Sequence, residues 1–223
     1  MTPILAGGQP LVLLPAKAAF IAATATLLVA DVHLGKAASF RALGVPVPRG
    51  TTGETLAALS GLVAATAARR IVFLGDFLHS VHGRAAATLA AVATWRRTHR
   101  ALELVLVRGN HDDRAGDPPS SLDIRVVDEP LIESGLALCH RPRRVAGAYA
   151  IAGHLHPCVG VGAGTWERLR LPCFWFGDDV GVLPAFGAFT GMHPIRPAAG
   201  DRVFAIAEST IAALPSAAER RAA

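Results

Sequence analysis

The stretch Arg108-Gly109-Asn110-His111-Asp112 places several side chains with useful chemistry at consecutive positions. It follows the apolar run 104–107, which predicts a buried strand. Asn110 offers a neutral amide oxygen and His111 an imidazole, so a metal ligand stands beside a group that can transfer protons, as phosphate-ester hydrolysis requires. Gly109 would let the chain turn where a side chain would crowd the site. On its own, the stretch could equally be a polar turn.

Chemically similar fragments close four other apolar runs of the chain. They are Asp31-Val32-His33, Gly75-Asp76, His140 and Gly153-His154-Leu155-His156. In chain order the five fragments read D-x-H, G-D, G-N-H-D, H and G-H-x-H. All five fragments would rarely fall at strand ends in this order by chance, so the set is more specific than any single motif. The order resembles that of the calcineurin-like metallophosphoesterase superfamily.

Two divalent metals about 3.5–4 Å apart need one ligand that touches both. Asp76 is the predicted bridge, because it is the central acidic residue of the five fragments and its two oxygens could each take one metal. The mixed nitrogen and oxygen donors, without thiolate, suit Mn²⁺, Fe²⁺, Co²⁺, Ni²⁺ or Zn²⁺, and the resemblance implies Mn²⁺ most often. It also implies the remaining ligands: Asp31, His33 and His156 for the first metal, and Asn110, His140 and His154 for the second.

His111 is predicted to act in the chemical step, since its neighbour Asn110 already fills the metal role in the matched motif. While a water activated by the two metals attacks phosphorus, His111 would stabilise the leaving oxygen or give it a proton. Asp112 is predicted to orient His111 through a hydrogen bond.

Basic residues near the fragments could contact an anionic substrate. Arg108 could bind phosphate, and a surface ion pair is an equal alternative. Two interpretations, an anionic cleft or a solvated face, also stay open for Lys36, Arg41, Arg49, Arg141, Arg143 and Arg144. Four histidines outside the fragments are interpreted as ordinary loop or solvated groups, although the first two could flank substrate: His79, His82, His99 and His193.

The composition is that of a globular protein. The chain has 223 residues, of which 52% are hydrophobic and 17% charged, and this balance excludes general disorder. The motifs span 31 to 156 and must converge, so one domain covering 1–223 is predicted. A formal net charge of +5 and a sequence pI near 9.8 suit a polyanionic partner such as DNA.

The cysteines and the apolar stretch near the start of the chain indicate which cellular compartment to expect. Cys139, Cys158 and Cys173 show no C-x-x-C spacing, which argues against a disulfide framework or a zinc ribbon. They are interpreted as small buried hydrophobes in a reducing compartment. The apolar stretch 18–30 has no basic region before it, ends on Asp31 and is too short to span a bilayer. A cytoplasmic location and no membrane partner are expected.

The first half of the chain predicts parallel α/β structure with ligand loops at the carboxyl ends of strands. Residues 35–50 are interpreted as a loop. One helix is predicted to begin with Thr51 as N-cap and Glu54 at N3 and to end near Ala68; another covers 84–99. The predicted strands are 11–14, 18–22 and 26–30, as an antiparallel group, then 71–74 and 104–107.

The second half predicts a second sheet packed on the first. Short apolar runs recur there without a long helix between them, and 172–192 is interpreted as a long ordered loop. The tail 209–223 is predicted to be helical or frayed. The fold class is therefore an α/β protein, a four-layer α/β/β/α sandwich. The predicted strands are 124–127, 131–132, 136–139, 149–152, 157–161, 168–171, a short one near 182, and 202–207.

A closer resemblance covers about 11–207. Asp31-Val32-His33-Leu34-Gly35-Lys36, Gly75-Asp76-Phe77-Leu78-His79-Ser80 and Leu183-Pro184-Ala185-Phe186-Gly187 with Phe189-Thr190-Gly191 resemble the bacterial ligase-associated DNA-damage-response endonuclease group. The resemblance implies a DNA phosphodiesterase linked to repair, with repair proteins including a DNA ligase as partners. Two alternatives stay open: a nucleotide pyrophosphatase or phosphatase of the same superfamily, and a scaffold without catalysis.

Overall fold

The computed structural model of the protein describes residues 1–48, 50–162 and 169–215. Arg49 and most of the tail 209–223 lie outside the described residues. The described chain forms two β-sheets that share one hydrophobic core, with Leu28 and Val72 of one sheet buried against Phe174 of the other. The predicted α/β class with two packed sheets is confirmed.

The first sheet has seven strands in the part of the chain that the structure describes, and they lie side by side in chain order. The first four pair antiparallel, and from the fourth onward every pairing is parallel. The parallel strands therefore end at one edge, as predicted. The first strand of the sheet was not expected from the sequence. The strands are β1 (Thr2–Ala6), β2 (Gln9–Leu14), β3 (Ala18–Ile21), β4 (Thr26–Ala30), β5 (Arg70–Leu74), β6 (Glu103–Val107) and β7 (Arg125–Val127).

Among the described residues the second sheet has nine strands, and two further expectations from the sequence are not met in it. Residues 210–214, expected to be helical or frayed, form a strand because they pair antiparallel with 203–207 across a tight turn. Residue 168, where a strand was expected to begin, lies outside the described residues. The strand described from Leu169 continues to Phe176, into the predicted loop 172–192. The strands are β8 (Leu131–Glu133), β9 (Leu136–Leu138), β10 (Tyr149–Ala152), β11 (Pro157–Val161), β12 (Leu169–Phe176), β13 (Val180–Val182), β14 (His193–Pro194), β15 (Arg202–Ala207) and β16 (Thr210–Leu214).

The helices correct the sequence prediction in two places. Lys36–Ala42 is a helix inside the segment interpreted as a loop. The next helix begins at Thr51 with Gly50 as its N-cap, so Thr51 does not cap it; Gly50 has φ 100, a left-handed value that glycine adopts readily. No helix of the described residues is long and apolar enough to cross a membrane. The α-helices are α1 (Lys36–Ala42), α2 (Thr51–Thr66), α3 (Ala86–Thr98) and α4 (Asn110–Ala115).

The helices form a layer on one side only. Leu59 of α2 and Trp95 of α3 are buried with Phe73 of β5 on the face of the first sheet that points away from the second. In the described ranges every α-helix precedes Gly116, so the outer face of the second sheet carries no helix there. The outermost helical layer of the predicted sandwich is therefore not present in the described part of the chain.

Candidate metal centre

The strand ends bring the predicted metal ligands together at one edge of the two sheets. Asp31 directly follows β4, Asp76 follows Gly75 at the end of β5, and Asn110 begins α4 just after β6. The second sheet delivers the other histidines from the ends of β9 and β10. Hydrogen-bond distances therefore connect residues far apart in sequence, among them His33, His140, His154 and His156.

The side chains divide into two clusters. Asp31, His33 and His156 form one, and Asp76, His140 and His154 form the other; the candidate ligand atoms of each cluster lie within 4.8 Å of one another. In the first, His33 Nε2 is 3.3 Å from His156 Nε2. In the second, His140 Nε2 is 3.0 Å from His154 Nδ1 and 2.9 Å from Asn110 Oδ1. These two clusters bring together residues that the resemblance assigned to separate metals, with Asn110 beside His140. A third group of possible ligands, His33, His79 and His111, shares His33 with the first cluster.

Asp76 lies between the two clusters. Its Oδ2 is 3.7 Å from His33 Nε2, while its Oδ1 is 3.4 Å from His140 Nε2. The backbone N–H of His111 donates to Oδ1 at 2.9 Å and fixes the orientation of the carboxylate. Each oxygen therefore points at a different cluster, which is the arrangement that a bridging ligand requires.

The donors present fit divalent cations. Asp31 Oδ1 is buried and has no hydrogen-bond partner among the described residues, although buried carboxylate oxygens are almost always satisfied. Burial strongly lowers the pKa of His33, and it also lowers the pKa of His154. Both shifts favour the neutral imidazole, which is the form that binds a metal. A cation in each cluster would satisfy the orphaned oxygen and the ring nitrogens that face one another.

Backbone carbonyls select which ring nitrogen faces the centre. His140 Nδ1 lies 3.1 Å from the carbonyl oxygen of Leu74, and His156 Nδ1 lies 3.0 Å from that of Gly191. A carbonyl oxygen only accepts, so we assign the proton to Nδ1 in both rings. The Nε2 lone pairs then point into the clusters, the usual arrangement for histidines that bind a metal.

Many of the candidate ligands have a strained backbone. Left-handed φ angles are uncommon outside glycine and cost about 1–3 kcal/mol each. They persist at functional sites when the surrounding structure holds them in place. Here they occur at Asp31 (53°), His33 (48°), Asp76 (53°), His154 (71°) and His156 (49°).

Two glycines keep space open beside these side chains. A Cβ at Gly109 would lie 2.4 Å from Asp76 Oδ1, which confirms that a side chain there would crowd the site. A Cβ at Gly75 would lie 2.2 Å from His140 Nδ1, and Gly75 has φ 78. The hydrogen bond between His140 and Leu74 could not survive that contact.

Gly75→Ala is expected to displace His140 and to lower the free energy of unfolding by at least about 2 kcal/mol, from left-handed strain and overpacking together. Gly8→Ala is the matched control, because Gly8 has the same φ of 78 with nothing within 4 Å of its added Cβ. Urea unfolding measures both variants. Equal losses in the two would show that the contact with His140 contributes nothing.

His111 and His79 lie together at the mouth of the site. Their rings stack at 4.9 Å, and His111 Nδ1 is 2.6 Å from the carbonyl oxygen of His79. The interpretation of His79 as an ordinary loop group is wrong: its Nδ1 is 3.3 Å from His33 Nδ1, and burial lowers its pKa to about 4. Nδ1 of neutral His79 can accept a hydrogen bond from His33 Nδ1–H, which leaves the Nε2 lone pair of His33 for a metal. The position of His79 three residues after Asp76 was the available signal.

Asp112 does not have the predicted partner. Its Oδ1 accepts hydrogen bonds from the backbone N–H groups of Phe77 and Leu78, and its Oδ2 accepts one from Gly109. Burial raises its pKa to about 6, and these backbone donors oppose that rise. Asp112 therefore ties the loop after β5 to the loop after β6, while the backbone of His79 orients His111.

The basic residues divide into paired and unpaired groups. Arg108 binds Asp117 through two hydrogen bonds of 3.0 Å and also contacts Asp128, which favours the ion-pair alternative. Arg143 and Arg144 face carboxylates as well, at 3.9 and 2.9 Å.

Two cations remain beside the clusters. Lys36 is close enough for Asp31 and Asp76 to favour its charged form, against the burial that lowers its pKa. Exposed Arg141 directly follows His140 and acts electrostatically on His154. Neither makes an ion pair with the described residues. Lys36 and Arg141 are therefore the cations of the predicted group best placed to meet an anion.

The other residues singled out in the sequence lie away from the centre. His82 and His193 are exposed, as expected. His99 is half-buried and lies 2.7 Å from Ser60 Oγ, so its solvated interpretation is wrong. Arg41 donates to the carbonyls of Val47 and Pro48. The cysteines are free and buried, as predicted.

The chain is 46% identical to the Pseudomonas putida nuclease MPE, whose crystal structure matches with a TM-score of 0.85 over 96% of this chain and 99% of that one. YfcE, a phosphoesterase from E. coli, is 16% identical, with a TM-score of 0.41 over 85% of this chain and 97% of that one. A TM-score of that size does not demonstrate a shared fold. No family model and no curated sequence matches.

Proposed function

This chain belongs to the calcineurin-like metallophosphoesterases and is a hydrolase of phosphoric ester bonds, and from that premise we propose that it is a DNA endonuclease using two divalent metals. The observation that carries the proposal is the position of Asp76, whose two oxygens face different histidine-containing clusters. Mn²⁺ is the proposed metal. The proposed biological setting is DNA repair, with repair proteins such as a DNA ligase as partners.

The proposed roles of the residues follow from their geometry. Asp31, His33 and His156 would hold the first metal, Asn110, His140 and His154 would hold the second, and Asp76 would be shared by both. Bound metals would activate water and polarise the phosphate. His111 donates Nδ1–H to the carbonyl oxygen of His79, which turns Nε2 toward the leaving oxygen. As the imidazolium, with a second proton on Nε2, His111 would give that proton to the leaving oxygen and become the neutral Nδ1–H tautomer.

A nucleic acid strand is the substrate that the surroundings favour. His154, His156 and His111 are only half-buried, so the centre opens directly to solvent and a long polymer can reach it. Lys36 and Arg141 provide unpaired positive charge beside the clusters. A single strand can bend into such a site without the few kcal/mol that unstacking a duplex costs. We therefore propose single-stranded or frayed DNA as the preferred substrate.

A substrate panel tests this proposal. The Mn²⁺-loaded protein should cleave single-stranded DNA faster than an intact duplex and should also hydrolyse bis-p-nitrophenyl phosphate. The panel also includes nicked and 3′-blocked DNA, RNA, nucleotides and phosphomonoesters. Rapid hydrolysis of a nucleotide pyrophosphate, with DNA intact across several metals, would favour the nucleotide pyrophosphatase alternative. If the protein binds both metals but hydrolyses none of these substrates, the alternative of a scaffold without catalysis would be favoured.

Arg141→Gln is expected to weaken DNA cleavage most at low salt. The binding constant for DNA falls as salt rises. Loss of one phosphate contact should make the slope of its logarithm against the logarithm of the salt concentration shallower by about one unit. Arg144→Gln is the matched control, since Arg144 follows closely in the chain but its guanidinium is already 2.9 Å from Asp179. DNA binding measured at several salt concentrations checks both variants. A larger change in Arg144→Gln than in Arg141→Gln would reverse the assignment.

A further inference from the structure

A small cavity opens next to the cluster of Asp31, His33 and His156. It has a volume of about 180 Å³, and His156 forms part of its wall together with Lys17, Phe189 and Met192. Pockets for drug-sized ligands are larger, about 300–1,000 Å³. This cavity therefore suits a single planar ring and not a whole dinucleotide. Through His156 it is continuous with the centre where the phosphodiester would be cleaved.

Phe189 is an exposed aromatic residue held in an unfavourable conformation. Its side chain is 52% exposed, and its backbone has φ 58, a left-handed value that is a genuine outlier for a bulky residue. Burial cannot explain why phenylalanine is used here. Strain that persists without a packing benefit suggests a functional role.

The segment that carries Phe189 is anchored on both sides. On one side, the backbone N–H of Gly187 donates to the carbonyl oxygen of Asp31 at 3.1 Å. On the other, the carbonyl oxygen of Gly191 accepts from His156 Nδ1 at 3.0 Å. Phe189 therefore has a fixed position relative to two of the proposed metal ligands. An aromatic ring that is held in this way can stack on a base without being ordered first.

Lys17 contributes positive charge to the same cavity. It lies in the turn between β2 and β3, where Leu14 pairs with Ala18 and Ala18 pairs with Val29 near the end of β4. That turn is at the same sheet edge as the proposed ligands. The Lys17 ammonium makes no ion pair with any described residue, and burial lowers its pKa. Lys17 and Lys36 are the two lysines of the chain, and both lie at this edge.

We propose that this cavity is a nucleoside subsite, in which Phe189 stacks on the base next to the scissile phosphate and Lys17 binds the neighbouring phosphate of the same DNA strand. The inference rests on the proposed nuclease function and deepens it. Base stacking on an aromatic ring is tolerant of sequence, because every base has a π-face. The subsite therefore favours unpaired strands without selecting a particular sequence.

The test compares two substrates in the full-length, Mn²⁺-loaded protein: single-stranded DNA and bis-p-nitrophenyl phosphate, which has no base. Phe189→Ala should lower the ratio of the two kcat/KM values by about 5- to 150-fold, the usual effect of removing one base–aromatic stack. Phe189→Leu keeps apolar bulk without an aromatic ring and should lower the ratio similarly. Phe189→Tyr keeps an aromatic ring and should keep the wild-type ratio. Leu5→Ala is the control, because Leu5 is 59% exposed at the far end of β1 and should leave the ratio unchanged.

Lys17→Asn tests the phosphate contact separately. Lys17 has φ 62, and asparagine tolerates that conformation, so charge is removed while the turn is kept. The salt slope of DNA binding should fall by about one unit. An unchanged slope would overturn this part of the proposal.

A photochemical cross-link gives a readout that does not depend on turnover. Single-stranded DNA with one 5-iododeoxyuridine beside a hydrolysis-resistant phosphorothioate should cross-link to the peptide that contains Phe189. If the wild-type protein cleaves DNA but the ratio in Phe189→Ala is unchanged, or if the cross-link maps elsewhere, the subsite is wrong and the nuclease stands. If the wild-type protein hydrolyses the small diester but no DNA, the proposed nuclease and the subsite both fail.

Discussion

Asp76→Asn should remove binding of both metals and almost all hydrolysis of bis-p-nitrophenyl phosphate. The substitution removes a negative charge and one of the two equivalent oxygens that face the clusters at 3.7 and 3.4 Å. Changes to residues that merely support metal ligands cost about 10–100-fold in affinity or activity. Losing the shared ligand should therefore cost at least about 100-fold. Metal content after dialysis and steady-state kinetics check both effects.

Stability separates loss of metal from loss of fold in this variant. Burial raises the pKa of Asp76, which means that its charged form is less favourable in the metal-free protein than in water. An amide can still accept the hydrogen bond from the His111 N–H, so metal-free Asp76→Asn should be at least as stable as the metal-free wild type. Added Mn²⁺ should raise the melting temperature of the wild type but not that of Asp76→Asn. Asp113→Asn, an exposed acid on α4, should behave as wild type. Tight binding of two metals by Asp76→Asn would refute the bridge.

His111→Ala should reduce turnover of an unactivated phosphodiester by about 10²–10⁴-fold, the usual contribution of acid–base assistance. His111 Nε2 lies 3.9 Å from Asp76 Oδ2, beside the clusters without joining the proposed ligand set. Metal content should therefore persist. The loss should shrink when p-nitrophenolate is the leaving group, because that group needs no proton.

His82→Ala is the matched control for His111→Ala. His82 lies in the same loop region but is exposed, so both metal content and turnover should stay at wild-type values. Loss of bound metal in His111→Ala would mean that His111 is itself a ligand. Unchanged turnover on an unactivated diester would remove it from the chemical step.

The centre was largely predictable because its residues follow strong apolar runs. β4, β5 and β6 are buried strands ending at one edge, so Asp31, Asp76 and Asn110 had to meet once the sheet was parallel. The contacts of Asp112 were not predictable. They depend on how the loop after β5 folds back, where Asp76 has a left-handed φ that cannot be seen in the sequence. For His79 the one signal was its position three residues after Asp76, and the types of its neighbours do not indicate that its ring turns toward His33.

The errors in the fold also have physical causes. The segment 210–214 is rich in alanine, a strong helix former, yet pairing with β15 makes it a strand because tertiary context overrides propensity. The helix Lys36–Ala42 was hidden by the glycines and prolines around it. Phe189 was visible only as part of a motif, since its exposure and its left-handed backbone cannot be seen in sequence.

The most direct test of the two-metal proposal is a titration of metal-free protein with Mn²⁺. Electron paramagnetic resonance spectra and cleavage of single-stranded DNA are recorded on the same samples. An exchange-coupled Mn²⁺ pair should form as the second equivalent binds, and cleavage should rise with it. Full cleavage with one equivalent bound, or cleavage that survives complete metal removal, would contradict a centre in which Asp76 joins two metals.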